Sequence, residues 1–239
     1  MKPDKDHLNR ELMEMLIERG SSGNRYIGLK LFFWQFTIKM AYFIKRSMDI
    51  FVSLAMIIFL LPLLASVAIL IKLDSRGPVF FIQTRVGKNG RHFNFIKFRS
   101  MRIDAEKLKT QLQQQNESKD GVIFKMKRDP RITRIGRIIR KFSIDELPQL
   151  FNVLVGDMSL VGPRPPLPGE VANYTLEEYK RLHITPGLTC IWQVSGRSDI
   201  PFKQQVELDK EYIRNRGFWK DLLILLKTIP AVITGRGAY

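Results

Sequence analysis

Asp145 and Glu146 are adjacent in FSIDELPQLFNVLVGDMSLVGPRPPLPGE (residues 142–170), where residue types and spacing point most directly to chemistry. Ser143-Ile144-Asp145-Glu146 has the S-x-x-E form of a capping box, which would leave both acids with a structural task. Pro148 argues against Ser143 as the N-cap, because the proline would then cost an intrahelical bond; with Asp145 as N-cap it falls in the first turn. Both placements set the two carboxylates at a helix N-terminus, where the dipole favours their ionised forms. Such a pair can hold Mg²⁺, which prefers one or two carboxylates plus substrate phosphates. It can also supply a nucleophile that attacks phosphorus and forms an acyl phosphate. Either role needs cations against the charge of a diphosphate. The rigid loop Val161-Gly162-Pro163-Arg164-Pro165-Pro166 offers one guanidinium suited to bidentate phosphate binding.

The elements that must position this pair are legible around it. FKMKRDPRITRIGRIIRKF (124–142) holds eight Lys/Arg against the single acid Asp129. Ile135, Ile138, Ile139 and Phe142 mark one face of a predicted helix, with Arg134, Arg137, Arg140 and Lys141 around it. Nucleic acid, phospholipid headgroups or a diphosphate would each suit that surface. Further upstream, VFFIQTRV and HFNFIKFR flank Gly87-Lys88-Asn89-Gly90 and predict a β-hairpin over Pro78–Arg99. On that strand Phe93, Phe95, Lys97 and Arg99 share a face, so two cations end an aromatic stripe, or simply a solvated strand end. Residues 104–120 read as a polar helix or loop.

Residues 50–71 (IFVSLAMIIFLLPLLASVAILI) contain no charge and meet the length criterion for a membrane helix. A buried core helix is the alternative. The run starts too late for a cleavable signal peptide. Residues 1–46 carry nine Lys/Arg and five Asp/Glu, and residues 72–239 carry 30 and 17. Both flanks are therefore positive and compete for the cytoplasmic side. Pro62, mid-run, removes a helical bond, so a helix that bends there and returns to the same face competes evenly with a spanning one. Residues 26–44 are apolar but interrupted by Lys30, Gln35 and Lys39, and predict an interfacial helix or a second membrane segment. Residues 1–25 read as a polar leader. FWKDLLILLKTIPAVI (218–233) predicts a helix that docks on lipid through Phe218 and Trp219 or packs as core.

The composition narrows the classes. The chain has 239 residues, 39 Lys+Arg against 23 Asp+Glu, a formal charge of +16, 45% hydrophobic and 10% aromatic residues. Disorder and acidic solvating function are excluded. With the single cysteine Cys190 and the scattered His7, His92 and His183, there is no internal disulfide and no zinc-ligand spacing. A membrane-tethered nucleic-acid-binding protein using the 124–141 basic helix would account for the charge, but not for the acid pair or the apolar run.

Lys45-Arg46-x-x-Asp49, PVFFIQTRVGKNGRHFNFIKFRSM (78–101), DPRITRIGRIIRKFSIDELPQLFNVLVGDMSLVGPRPPLP (129–168), PGLTCIWQVSGR (186–197) and ELDKEYIRN (207–215) occur in an order that resembles the bacterial sugar transferase family. These are the monotopic polyprenyl-phosphate phosphoglycosyl transferases, and the resemblance covers roughly residues 45–230. It implies an α+β fold: a mostly helical membrane-associated domain with a small β-hairpin and a re-entrant membrane helix kinked at Pro62. The implied division is leader and interfacial helix (1–44), re-entrant helix (45–75) and catalytic domain (76–239), without the multi-span region of the larger members.

By the same resemblance, Asp145 is the nucleophile that takes a phosphosugar from a UDP-sugar and expels UMP. Glu146 is its partner, and the pair holds Mg²⁺. Polyprenyl (undecaprenyl) phosphate then accepts the phosphosugar, which starts a cell-surface polysaccharide or lipopolysaccharide at the cytoplasmic face of the bacterial inner membrane. Lys97 and Asp209 match polar active-site positions, Arg164 a phosphate-binding arginine and Arg197 a nucleotide contact; Pro163 and Arg99 complete the expected substrate-binding set. Partners are the UDP-sugar, polyprenyl phosphate and membrane lipid, not nucleic acid, with the oligomeric state open to a homodimer. Cys190 departs from the usual glycine and Leu61-Pro62 from the common Ser-Pro. No motif names the sugar.

Overall fold

The computed structural model describes residues 25–112, 126, 129–235 and 237. The leader expected over residues 1–25 and most of the segment 113–128, including Lys125, Lys127 and Arg128 of the basic stretch, lie outside the described residues. The chain forms two compact units, 1–46 and 47–239.

Helix α1 spans Arg25–Asp74. In the first unit its described residues expose Phe32, Phe33, Trp34 and Phe43, and the rings of Phe32 and Phe36 stack at 6.4 Å. By length and composition, Gly28–Asp74 is apolar enough to cross a membrane.

In the second unit, α1 packs through one stripe. Asp49, Ser53, Ile57, Val67 and Ile71 are buried, with Leu64 and Asp74 partly buried between and after them. The steps of three, four and seven residues keep these positions in line on a 3.6-residue helix. Phe51, Ile58, Phe59, Ile69 and Leu73 on the other sides are exposed. The helix is unbroken across Pro62, where the sequence suggested a break. Ser66 Oγ donates to the Pro62 carbonyl at 2.8 Å, so the turn that lacks a backbone donor also carries a side-chain back-bond, and both favour a bend.

Both sides of Pro62 rest on the same body. Ile57 joins a core with Phe95, Leu150, Val153, Leu160, Val161 and Ile224, whereas Val67 and Ile71 join Phe98 and Ile139. Carboxylates pin the two ends. Asp49 Oδ1 accepts the Leu160 N–H at 3.1 Å and Asp74 Oδ2 the Ile135 N–H at 3.1 Å.

The predicted hairpin forms. β1 (Phe80–Val86) pairs antiparallel with β2 (His92–Phe98), in register from Phe80 opposite Phe98 to Val86 opposite His92. Asn89 (φ 55°) and Gly90 (φ 78°) both take the left-handed region that closes the turn. A short helix, α2 (Ala105–Leu112), follows.

Among its described residues the basic stretch forms helix over α3 (Arg134–Lys141). Thr133 caps it, with Oγ1 accepting the Gly136 N–H at 2.9 Å. A Cβ on Gly136 would lie 2.0 Å from the Ser100 carbonyl oxygen, so glycine is what lets this helix meet the end of β2. Ile139 is buried but Ile138 is exposed, off the face predicted for it, because the inward line follows Ile135, Ile139 and Phe142.

α4 (Gln149–Val155) ends at Gly156 (φ 98°). A second sheet went unpredicted: β3 (Ser159–Val161) runs parallel to β4 (Gly187–Thr189). The strands are three residues long, too short for alternation to register. Between them lie the short helices α5 (Pro168–Val171) and α6 (Leu176–Tyr179), and α7 (Ile191–Ser195), α8 (Phe202–Asn215) and α9 (Phe218–Thr234) complete the chain. Tyr212 on α8 donates to Val161 O at 3.0 Å or Asp221 Oδ1 at 2.7 Å, which ties β3 to both last helices.

Asp49→Ala leaves a buried Leu160 N–H without that acceptor and is expected to cost about 1–3 kcal/mol. Asp49→Asn keeps an acceptor oxygen and should recover most of the loss in thermal unfolding of the detergent-solubilised protein. Equal losses in both variants would assign the effect to charge instead.

Candidate active site

Asp145 and Glu146 sit on a 3₁₀ turn, Ile144–Glu146, ahead of α4. Neither capping arrangement read from the sequence is realised. Ser143 takes a left-handed conformation (φ 53°) with no side-chain cap, and Pro148 is the residue that precedes α4. The carboxylates thus stand one turn upstream of the helix, on a bend that α3 hands over through Ser143 N–H to Arg140 O at 3.0 Å. A non-glycine residue in this region is strained, and such strain collects at functional sites.

Asp145 is 8% exposed. Burial first, then the neighbouring Glu146 charge, pushes its carboxyl up to about 7, while Lys97 and Arg140 act the other way. Lys97 comes from β2. Its ammonium is pushed down to about 8 by burial, with Asp145 opposing the shift and Arg85, Arg140 and Arg164 adding to it. Near neutral pH the pair therefore lies close to the point where a proton leaves the acid while the amine keeps its own. Lys97 Nζ also lies 5.2 Å from the Phe81 ring centroid, opposite it in the hairpin register.

Glu146 is met by Arg164 at 3.6 Å, in a half-exposed pair. Burial lowers the Arg197 guanidinium, and the charge of Glu146 partly restores it. Arg197 Nη1 is buried without a hydrogen-bond partner, as is Gln149 Nε2 at the start of α4. The Gly-Pro-Arg-Pro loop that carries Arg164 follows β3 directly. Gly187 N–H donates to the Pro163 carbonyl at 2.9 Å, and Val86 N–H donates to Pro166 O at 3.0 Å. Pro163 thus contributes a braced backbone. A Cβ on Gly187 would lie 2.0 Å from Gly162 N, so both glycines serve this crossing.

The sequence-derived set separates in space. Asp145, Glu146, Lys97, Arg164 and Arg197 interact electrostatically as one group. Arg99 is committed elsewhere, because its guanidinium donates to Arg76 O at 2.6 Å and to Ser75 O at 2.7 Å and closes the C-terminal end of α1. The strand parity that grouped it with Lys97 ends at Phe98. Asp209 is fully buried against Arg181, with Oδ2 2.8 Å from Nε and 2.7 Å from Nη2. Burial raises the Asp209 carboxyl to about 6 despite that partner. The Cys190 thiol is buried and pushed up, first by burial and then by Asp209, and donates to Gln193 Oε1 at 3.2 Å, which suits a packed residue.

Two residues of the group were not singled out as site residues from the sequence. Arg140, the half-buried arginine near the end of α3, acts on Asp145 and Lys97. Arg85 lies on the hairpin face that carries Lys97; Arg85 opposite Phe93 and Lys97 opposite Phe81 have the same parity. The Asn89-Gly90 turn, which sets the register, held the signal for Arg85.

Among the described residues no cluster of three or more His, Cys, Asp or Glu forms a metal cage. Two adjacent carboxylates, one of them buried and raised by burial and by its neighbour's like charge, still fit Mg²⁺, which uses substrate phosphates for much of its coordination.

Residues 40–235 match the family described as Bacterial sugar transferase. A galactosyl transferase, CpsE, of Streptococcus agalactiae is 52% identical over 163 residues, 68% of this chain and 36% of that one. A UDP-galactose-lipid carrier transferase of Erwinia amylovora is 43% identical over 202 residues, 82% of this chain and 42% of its own. The chain thus spans well under half the length of these two relatives. The exopolysaccharide production protein ExoY of Sinorhizobium fredii is 38% identical over 198 residues, 82% of this chain and 88% of that one. On this match, and with its motifs gathered around one acidic pair, the chain belongs to the bacterial sugar transferase family.

Proposed function

We propose that this protein transfers a sugar 1-phosphate from a UDP-sugar to polyprenyl phosphate at the cytoplasmic face of the bacterial inner membrane, as the first step of a cell-surface glycan. The observation that carries the reading is a buried aspartate, raised to about 7, within the field of Lys97 and Arg140 and beside a glutamate flanked by Arg164 and Arg197. Cations in excess of the two acids suit a substrate that brings several negative charges of its own. The names of the relatives, which include an undecaprenyl-phosphate galactose phosphotransferase of Salmonella typhimurium, agree with this class.

In the proposed cycle an ionised Asp145 oxygen bonds to the phosphorus that bears the sugar, and the bridging P–O bond to UMP breaks. The phosphate oxygen of polyprenyl phosphate then attacks the same phosphorus and the Asp145–phosphorus bond breaks. Lys97, as the ammonium, keeps Asp145 ionised and faces the charge that builds on the phosphoryl oxygens. Arg164 and Arg197 hold the phosphates so that the sugar-bearing phosphorus faces Asp145. Asp145 and Glu146 would hold Mg²⁺ when it is bound, and the ion would neutralise diphosphate charge.

The membrane placement has physical support. A straight helix over residues 49–74 is roughly 39 Å long, more than a bilayer core. Asp49 and Asp74, at its two ends, bond to the same body, and their partners precede the Arg164 loop and the Asp145 turn. That favours entry and exit on one face, with Pro62 at the bend. Phe218, Trp219, Leu226 and Ile233, all exposed on α9, suit the same lipid surface.

UMP release from a panel of UDP-sugars with Mg²⁺ and polyprenyl phosphate tests the reading. One donor should give release, and Asp145→Asn should abolish it, including the single-turnover burst; a retained burst would remove Asp145 as nucleophile. The burst rate should rise with pH through about 7 as Asp145 ionises. Lys97→Met removes a cation that favours the ionised acid and should move that limb to higher pH.

Stability should move the opposite way. Because Asp145 holds its proton up to about 7 in the folded chain and loses it at lower pH when unfolded, stability declines as pH rises across that interval. Asp145→Asn lacks this penalty and should melt about 2–4 °C higher than wild type above neutral pH, a gain on the order of 1 kcal/mol. An equal or lower melting temperature at pH 8 would contradict the desolvation argument.

A further inference from the structure

Arg85, like Arg140, was not marked as a site residue by the sequence, and its surroundings are unusual. The residue is 7% exposed. Nη1 donates to Pro165 O at 3.0 Å, Nη2 to Gln83 Oε1 at 2.9 Å, and the guanidinium lies 5.2 Å from the Phe95 ring centroid. Nε is buried and has no hydrogen-bond partner. A guanidinium carries five N–H donors, and leaving one buried and unmet is costly on a charged group.

The surrounding charges leave the guanidinium undercompensated. Burial, and then the like charge of Arg164, push it down to about 10, whereas Glu170, Glu146 and Tyr174 act in the other direction. Of these acids, Glu146 is shared with Arg164 and Glu170 Oε2 accepts the Leu167 N–H at 3.0 Å. Arg85 and Arg164 are thus two guanidinium groups joined through one loop, since Arg85 holds the carbonyl of Pro165, the residue after Arg164, and Val86 N–H holds the next carbonyl. A planar donor group of fixed orientation, short of negative charge and beside a second one, matches adjacent phosphates of a diphosphate better than a single phosphate.

We propose that Arg85 is a further substrate-binding residue, which donates to the diphosphate of the sugar nucleotide through Nε–H, the donor that the protein leaves without a partner while Nη1 and Nη2 are engaged. The inference rests on the function proposed above and adds a residue and a ligand class to that site. Arg85 and Arg164 then grip the diphosphate together, and the loop between them keeps their spacing.

The test uses the full chain in detergent, with inorganic diphosphate and UDP as probes in calorimetry. Arg85→Lys keeps the charge and loses the fork, and should weaken both ligands at least about tenfold, with a melting temperature close to that of wild type. Unchanged affinity for both would overturn the proposal. So would a loss confined to a polyprenyl phosphate monoester, which would assign Arg85 to the acceptor. Should Arg85→Lys fail to fold, hydrogen exchange on the wild-type chain reads the same contact. Diphosphate should slow amide exchange across residues 83–87, and unchanged exchange would overturn the assignment. UMP release by wild type is read in parallel: its absence with every UDP-sugar strikes the proposed function, whereas release with unaltered Arg85→Lys binding strikes Arg85 alone.

Discussion

A buried carboxylate can be ionised near neutral pH only where cations offset the loss of hydration. The surroundings of Asp145 follow from this requirement. Each cation around it reaches the site from a different element: Lys97 from β2, Arg140 from α3, Arg164 from the loop after β3. None sits next to Asp145 in sequence, and the one ionisable neighbour that does, Glu146, works against its ionisation. The fold therefore assembles charge against charge across segments otherwise held together by small apolar contacts. The balance is left close to neutral pH.

Backbone acceptors keep the Arg164 loop in place. The loop with Arg164 is braced by carbonyls at Pro163, Pro165 and Pro166, each accepting from a different partner: Gly187, Arg85 and Val86. Prolines cannot donate, so Pro163, Pro165 and Pro166 answer their neighbours with acceptors only, and their stiff φ angles fix where those acceptors point. Gly162 and Gly187 allow the backbones to cross within the distance a side chain would occupy. The hairpin contributes at both edges, because Val86 N–H and Arg85 reach the loop while Lys97 reaches the acid.

Much of this was readable before any coordinates. The hairpin followed from Asn89-Gly90 between aromatic β-formers, and the acid pair and the Arg164 loop from residue type and spacing, whereas Arg197 came only through the family resemblance. Elements fixed by tertiary contact were not. β3 and β4 are too short for a period, and the left-handed Ser143 defeats any capping rule that assumes an extended residue there. Arg99 looked like Lys97 in pattern, yet carbonyls of a distant helix end claim it. Arg85 was hidden for the opposite reason: its meaning lies in the cross-strand register and in a loop 80 residues away.

The two carboxylates that pin α1 also set a phase. Asp49 and Asp74 must both face the body that carries Leu160 and Ile135. Each residue of helix turns the chain by about 100°. One inserted or deleted residue between them would therefore swing one carboxylate off its backbone partner and rotate every exposed apolar side chain on one flank of Pro62. Length changes near a full turn or two would keep both contacts in phase. This apolar segment, whose uniform composition looks free to drift in length, is instead metered by the domain it packs on.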